Sequence, residues 1–303
     1  MWFKKIFRAF TRGEKTIFAA AAVAAVVSGF ALAWLGFAES TRAVPASGGE
    51  YTEGMVGQPV FVNPVTAASE VDRSLVRLIF SSLSDIADKI EVSEDGRMWK
   101  VRLQENLRWQ DGGKLTSDDV IFTIQKIQDP ESSSPLAGAW QGVAAQRLSE
   151  LELQFSLITP YAFFADTIEN LYILPKRLFA DTPPANWRLS NYNLKPVGSG
   201  PYEFLSYEIK LDGFVTLYRL KAWSEYRGDK PLIEKLDFGF FSAKENLLKD
   251  FNAGRVDGVA GLEPAELAEI QRPHEVLAFR LPSYYAVFLN RSKSIPLQDK
   301  SAR

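Results

Sequence analysis

An uncharged apolar stretch from Ile17 to Ala38 most limits how this chain can fold. As an α-helix, these roughly 22 residues span about 33 Å, enough to cross the hydrocarbon core of a membrane. Residues 1–16, before the apolar stretch, carry a net charge of +4 from Lys4, Lys5, Arg8, Arg12, Lys15 and Glu14. Soon after the stretch, Arg42 is the only basic residue. The positive-inside rule therefore places the N-terminus in the cytoplasm and the body outside.

A cleaved signal peptide is the competing interpretation of the same stretch. Signal peptides usually have an apolar core of about 7 to 15 residues and a cleavage site of the Ala-x-Ala type. The stretch here is longer, and no clean site of that type follows it. We therefore expect residues 17–38 to be a retained single-pass anchor in the cell membrane. Residues 1–16 are then cytoplasmic, and the body lies in the periplasm or at the cell exterior.

The composition excludes several classes of chemistry, because the chain has no Cys and one His, His274. Zinc sites built from Cys and His, thiol catalysis and iron–sulfur ligation are excluded within this chain. His274 lies in the polar segment 271–275, which favours an exposed loop residue over a member of a catalytic triad. The net charge is −2, so the chain beyond residue 16 is mildly acidic, which argues against general nucleic-acid binding. We predict no metal site and no cofactor.

Residues 39–54 are small and polar and predict a linker, with the folded part beginning near Tyr51. Within residues 69–92, apolar side chains at helical spacing predict a helix. Apolar and polar residues alternate over residues 99–103 and 151–157, which predicts two half-buried strands.

Two adjacent carboxylates, Asp118 and Asp119, follow Thr116 at the start of an apolar stripe. An acid/base pair or a metal site is one interpretation of such a pair. Helix capping is the other, because Thr116 can accept amide hydrogens and acidic residues are favoured in a first turn. Capping explains both carboxylates, so we expect a helix start here.

The C-terminal half predicts further elements of both kinds. Residues 196–220 are typical of a β-hairpin that turns around residues 210–213. Residues 243–253 present one apolar helical face, and Gly254 is placed to end that helix. We expect a short helix after Pro264 and strand character over residues 276–289. The mixture predicts a body of α and β structure.

Four sequence blocks, taken in order, resemble the family 5 extracellular solute-binding proteins, the oligopeptide, dipeptide and nickel receptors of ABC importers. Each block alone is weak, and their order and spacing together are specific. Two flanking segments, 57–64 and 284–290, also fit the family's opening strand and the strand before its second lobe. The blocks are residues 95–103, residues 109–112 with 115–120, residues 196–202 and residues 252–257.

The resemblance implies a fold class of α/β, in the mixed α+β sense. It implies a periplasmic-binding-protein-like class II lobe over residues 55–303, with an inserted subdomain at about 71–182, preceded by one N-terminal transmembrane helix. Family members are longer, and their second lobe begins soon after the segment that matches residues 296–303. We therefore expect the chain to be truncated before that lobe.

The resemblance also implies a function without catalysis. The chain would be the membrane-tethered, extracytoplasmic substrate-binding component of an ABC importer, with permease subunits as partners. We expect its ligand to be a peptide, and nickel or another small solute is the alternative ligand. A non-binding remnant or scaffold is the alternative, and a hydrolase would need a carboxylate pair that capping does not explain. The candidate ligand-binding residues are Phe61, Asn63, Tyr284 and Tyr285.

Overall fold

The computed structural model describes residues 11–40 and 46–278. Helix α1, Arg12–Ser40, contains the whole apolar stretch. By length and composition its segment Arg12–Phe37 is able to cross a membrane, a test that a signal sequence also passes. Its described side chains are exposed or half-buried.

The body that follows combines strands and helices. The strands are β1 Glu50–Val56, β2 Ala87–Val92, β3 Met98–Leu103, β4 Val143–Arg147, β5 Glu152–Leu157, β6 Tyr202–Ile209, β7 Val215–Ala222, β8 Lys235–Phe241 and β9 Gly258–Val259. The helices are α2 Glu70–Ile79, α3 Leu83–Ile86, α4 Ser117–Gln128, α5 Ala137–Trp140, α6 Phe164–Glu169, α7 Lys176–Phe179 and α8 Lys244–Asn252. Short 3-10 helices cover Pro130–Ser132, Pro184–Leu189, Asn191–Asn193 and Glu266–Glu269.

The larger sheet has five strands in the order β6-β7-β8-β1-β9. Strands β8 and β9 run parallel to β1 on either side of it, whereas β6 and β7 form an antiparallel hairpin. Helix α8 connects β8 to β9 and packs on one face of the sheet. A Cβ on Gly54 would lie only 2.3 Å from Leu247 Cδ1, so a larger residue at this position would require the buried Leu247 side chain of α8 to shift.

The smaller sheet has four antiparallel strands in the order β2-β3-β5-β4, inserted in the sequence between β1 and β6. Alternate residues of β3 and β5 are buried, including Val101 and Phe155, so one face of the sheet belongs to the core. The opposite face is polar and carries the Lys100–Glu152 ion pair at 3.2 Å. This inserted sheet confirms the predicted strands at residues 99–103 and 151–157.

The predicted helix over residues 69–92 is wrong beyond Ile79. Helix α2 ends there because Phe80 takes an extended conformation, and Ser82 caps the separate helix α3. Residues 87–92 then form β2, because pairing with β3 satisfies their backbone groups. Strand β1 begins at Glu50, so the last part of the predicted linker is also strand.

Several predictions in the second half are confirmed. The hairpin of β6 and β7 turns at residues 210–214, and Gly254, at φ +71°, follows α8. The 3-10 helix Glu266–Glu269 follows Pro264 and lies in a second compact unit, which begins at Leu262. Residues 276–278 are irregular, and the rest of the strand predicted over 276–289 lies outside the described residues.

Candidate functional site

The carboxyl ends of the three parallel strands meet at one edge of the larger sheet. Val56 ends β1, Phe241 ends β8 and Val259 ends β9. In open α/β sheets, ligands bind in the crevice outside the carboxyl ends of such strands. We call this the carboxyl edge, defined by the three terminal residues and the segment 57–67 that follows β1.

Segment 57–67 is held in place from both sides. Gly57, at φ +108°, donates its N–H to Phe241 O at 2.8 Å, which ties the segment to β8. The N–H groups of Val60 and Phe61 donate to Asp72 Oδ1 at 2.8 and 3.0 Å. Asp72 lies in the first turn of α2, where the helix dipole favours its charge. The backbone before Phe61 is therefore fixed by one buried carboxylate.

Asp72 is a positioning residue that the sequence patterns did not reveal. Its side chain is almost fully buried, and it also accepts a hydrogen bond from Ser69 Oγ at 2.7 Å. Ser69 in turn caps α2 by accepting from the N–H of Asp72 at 3.0 Å. The signal that could have found it is the Ser-x-x-Asp spacing before an apolar helix, which is typical of a capping arrangement.

The predicted residue Phe61 lies at the carboxyl edge and is half-buried. Its ring centroid is 5.6 Å from the guanidinium carbon of the exposed Arg188, within the range of a cation–π contact. Val56 and Val60 nearby are 43% and 46% exposed. An apolar surface with one cation beside it thus lies next to the strand ends.

The predicted residue Asn63 lies in the same turn as Phe61 and is buried, with 1% of its surface exposed. Its Oδ1 accepts from the N–H of Val65 at 2.9 Å, and its backbone O accepts from the N–H groups of Thr66 and Ala67. Among the described residues, no hydrogen-bond partner exists for its Nδ2. Asn63 therefore shapes the turn from inside. Tyr284 and Tyr285 lie outside the described residues and stay predictions.

The β6–β7 hairpin forms one side of the carboxyl edge. The N–H of Val215 donates to Gln58 Oε1 at 2.8 Å, which joins the start of β7 to segment 57–67. At the tip, Leu211 is fully exposed and Lys210 Nζ lies 5.6 Å from the Phe214 ring centroid. The hairpin adds further apolar surface to this edge, and its tip carries one charge of each sign, on Lys210 and Asp212.

A tyrosine–carboxylate pair lies further back along β1. Tyr51 Oη donates to Glu53 Oε2 at 2.9 Å. Both side chains point away from α8, because the intervening residues of the strand face it. Burial raises the pKa of Glu53, and the hydrogen bond from Tyr51 opposes that rise. Burial, followed by the charge of Glu53, raises the pKa of Tyr51 to about 12.

The two adjacent carboxylates lie in the first turn of the capped helix α4, as predicted. Thr116 Oγ1 accepts from the N–H of Asp118 at 3.3 Å, and Asp119 Oδ2 accepts from the N–H of Thr116 at 2.9 Å. Asp118 also forms an ion pair with Arg147 at 3.2 Å. Each carboxylate thus has a structural partner. Within residues 11–40 and 46–278, no group of three His, Cys, Asp or Glu residues could hold a metal ion.

The remaining candidate for chemistry, His274, is exposed in the second compact unit. Its Nδ1 lies 2.9 Å from Arg272 O, a local contact within one turn. This confirms the prediction of an exposed loop histidine.

The mixed sheet with its open carboxyl edge, together with the inserted four-stranded sheet, defines the architecture of a binding-protein lobe. The chain belongs to the bacterial extracellular solute-binding proteins, family 5, because the model "Bacterial extracellular solute-binding proteins, family 5 Middle" matches residues 83–303. These are transport receptors and not enzymes, so the hydrolase alternative is not supported.

Two curated relatives are similar over most of the chain. The oligopeptide-binding protein AppA of Bacillus subtilis is 21% identical over 233 residues, which cover 73% of this chain and 42% of AppA. The dipeptide-binding protein of Escherichia coli is 23% identical over 238 residues, which cover 72% of this chain and 44% of the relative. The chain therefore spans less than half the length of each of these relatives.

Solved structures share the fold. The ABC transporter substrate-binding protein CtaP of Listeria monocytogenes matches with a TM-score of 0.62 and 25% identity, covering 74% of this chain and 46% of CtaP. AppA of Bacillus subtilis, solved with a nonapeptide, matches with a TM-score of 0.63 and 21% identity, covering 71% of this chain and 44% of AppA. The predicted family and fold class are thereby confirmed.

Proposed function

We propose that this chain is the substrate-binding component of an ABC importer that takes up peptides. It lies outside the cytoplasm and works with the permease subunits of the importer. The observation that carries the proposal is the open carboxyl edge, where Val56 and Val60 expose apolar surface beside Phe61. The likeness to AppA, whose structure holds a nonapeptide, supports a peptide as ligand. Neither a scaffold nor a remnant is favoured by these relatives.

The proposal assigns different roles to the two candidate residues of segment 57–67. Phe61 contacts the ligand, because its ring is half-buried and lies beside the cationic Arg188. Asn63 positions the turn that carries Phe61, since its side chain is buried and accepts the N–H of Val65. An extended peptide would gain most of its affinity from main-chain hydrogen bonds, with side chains in apolar pockets.

Peptide binding is tested on the native protein extracted from its membrane. A ligand that binds only the folded state raises the midpoint of thermal unfolding by mass action. We expect random-sequence tripeptides to nonapeptides to raise the midpoint, and Phe61→Ala to weaken that binding by about tenfold. Phe163→Ala removes a phenylalanine that is exposed and lies outside the carboxyl edge, and it should leave binding unchanged. Equal behaviour of the two variants, or no stabilisation by any peptide, contradicts the proposal.

The proposal also includes a tether, with α1 retained in the membrane and the body on its outer side. The support is the length of α1 and the basic residues before it. Intact mass and N-terminal sequencing of the membrane-extracted protein test this. A mature chain that retains residues 17–38 supports an anchor, whereas a mature chain that begins beyond Ala38 identifies a cleaved signal peptide.

A further inference from the structure

A cavity of about 330 Å³ lies at the edge of the larger sheet opposite to the carboxyl edge. It forms where the loop after β7 faces the connection between β3 and α4. Strand β8, seven residues long, separates the two edges by roughly 20 Å. This amino-edge cavity is therefore distinct from the proposed peptide site. Six of its lining residues carry the argument: Asp85, Arg108, Trp223, Glu225, Tyr226 and Arg227.

Hydrogen bonds to backbone carbonyl oxygens hold the walls of the amino-edge cavity in place. The N–H of Trp223 donates to Pro201 O at 2.9 Å, which pins the loop after β7 to the start of β6. Among the lining residues, Ser81 Oγ donates to Ser199 O at 2.7 Å. On the opposite wall, Gln104 Nε2 donates to Asp85 O at 3.1 Å. The cavity is thus formed before any ligand arrives, as is usual for small-molecule sites.

The lining of the cavity carries two charges of each sign. Asp85 and Glu225 supply carboxylates, and Arg108 and Arg227 supply guanidinium groups. Within the described part of the chain, neither Glu225 nor Arg227 forms an ion pair or a side-chain hydrogen bond. Asp85 Oδ2 already accepts from the N–H of Ser82 at 2.8 Å, and Arg108 Nη1 donates to Gly112 O at 2.9 Å. The exposed residues Glu225 and Arg227 are therefore the charges left for a ligand, and this one pair of opposite charges fits a ligand that carries both an ammonium group and a carboxylate.

Aromatic and aliphatic surface accompanies these charges. Trp223 is 8% exposed, and the ring of Tyr226 lies against the backbone of Gly228, where a Cβ would be 2.7 Å from the ring. Leu107 and Ile86 add aliphatic surface to the lining. Small-molecule sites combine such apolar walls with a few placed polar groups, and about 300 Å³ is the lower end of their size range.

We infer that the amino-edge cavity binds a small zwitterion with an apolar side group, of the chemical class of a free hydrophobic amino acid. Glu225 pairs with the ammonium group and Arg227 with the carboxylate. The apolar side group packs against Trp223 and Tyr226. This second solute site does not depend on the peptide site at the carboxyl edge.

Three probes of similar shape test the inference by calorimetric titration of the native protein. L-Phenylalanine carries both charges, phenethylamine lacks the carboxylate, and 3-phenylpropanoate lacks the ammonium group. We expect L-phenylalanine to bind at least about tenfold more tightly than either analogue, because each analogue leaves one lining charge without its partner.

Variants that each remove one charge test which lining residue pairs with the ammonium group of the ligand and which pairs with its carboxylate. Glu225→Gln should weaken L-phenylalanine by about tenfold and leave 3-phenylpropanoate unchanged, whereas Arg227→Gln should weaken L-phenylalanine and leave phenethylamine unchanged. Glu234→Gln and Lys230→Gln are the matched controls, since both residues are exposed and neither lines the cavity. Absence of L-phenylalanine binding, or an affinity that neither lining variant changes, overturns the inference. Phe61→Ala, which tests the peptide site, should leave this affinity unchanged.

Discussion

Gln110 and Gly198 exchange two hydrogen bonds across 88 positions of sequence. The N–H of Gln110 donates to Gly198 O at 2.8 Å, and the N–H of Gly198 donates to Gln110 Oε1 at 2.9 Å. Gln110 Nε2 also donates to Tyr202 O at 2.8 Å. One side chain therefore joins the sequence block at 109–112 to the block at 196–202. Gln110 and Gly198 therefore connect two parts of the fold, and neither belongs to the carboxyl edge.

The first prediction concerns this junction. Gln110→Ala should lower the free energy of unfolding by about 2 to 4 kcal/mol, because it leaves the N–H of Gly198 and the O of Tyr202 without a partner. Urea unfolding followed by tryptophan fluorescence measures the change. Gln146→Ala removes an exposed glutamine on β4 and should cost no more than about 0.5 kcal/mol. Losses of equal size in the two variants would show that the junction has no special stabilising role.

The second prediction concerns Gly198 itself. A Cβ at this position would lie 1.8 Å from Ile79 O, and that carbonyl is already held by the N–H of Gly200 at 2.8 Å. Gly198→Ala should therefore cost at least about 3 kcal/mol or prevent folding. Gly138→Ala is the control, because nothing lies within 4 Å of its Cβ position. Thermal unfolding of both variants checks this, and a stable Gly198→Ala protein would contradict the close packing.

The third prediction compares how much two adjacent carboxylates, Asp119 and Asp118, contribute to stability. Asp119 is 6% exposed and accepts from the N–H groups of Thr116 and Lys176, each at 2.9 Å. Burial raises its pKa, and these backbone hydrogen bonds oppose the rise. Asp119→Ala should cost about 2 to 4 kcal/mol, since both amides lose their acceptor. Asp118→Ala loses an exposed pair with Arg147 and should cost about 1 kcal/mol or less.

Urea titration of the two aspartate variants measures this difference directly. If the two variants lost similar amounts of unfolding free energy, the two backbone hydrogen bonds to Asp119 would contribute little to stability.

The fourth prediction concerns pH. Because burial raises the folded-state pKa of Glu53 above its ordinary value of 4.5, the folded state binds a proton more tightly than the unfolded state. The stability that Glu53 contributes is therefore complete below pH 4.5 and is lost as the pH rises through the folded pKa. Glu53→Gln removes this titration, so the variant should gain stability relative to the native protein as the pH rises above 4.5.

Unfolding free energies measured at a series of pH values test this expectation. Tyr51→Phe removes the hydrogen bond that opposes the rise in pKa. The loss of stability in that variant should therefore extend to higher pH than in the native protein. A difference between Glu53→Gln and the native protein that stays constant with pH would exclude a raised pKa.

Much of the fold follows from local pattern. Alternation over residues 151–157 predicted β5, and the Thr116 capping arrangement predicted the start of α4. Helical spacing over residues 69–92 was misleading after Ile79, because pairing of β2 with β3 outweighs a local preference for helix. The local pattern within residues 69–92 cannot show that pairing, because the partner strand β3 begins only after the next turn.

The candidate site was less accessible to sequence reasoning. Phe61 and Asn63 share a turn at the carboxyl edge, as neighbours in sequence must, but only the structure shows Asn63 pointing inward. The role of Asp72 depends on two backbone N–H groups 11 and 12 positions away. The amino-edge cavity brings together residues from four separate segments, and no pattern along the chain signals it.

By itself, the sequence determined the apolar helix, the absence of thiol chemistry, the helix caps and the alternation of the buried strands. Each depends on composition or on residues within a few positions of one another, where backbone geometry alone sets which side chains meet. Tertiary structure decided which elements pair and where surfaces open. The contact of Gln58 with Val215 spans 157 positions and that of Thr52 with Asp257 spans 205. Such contacts form because distant strands must satisfy their backbone groups and bury a common core.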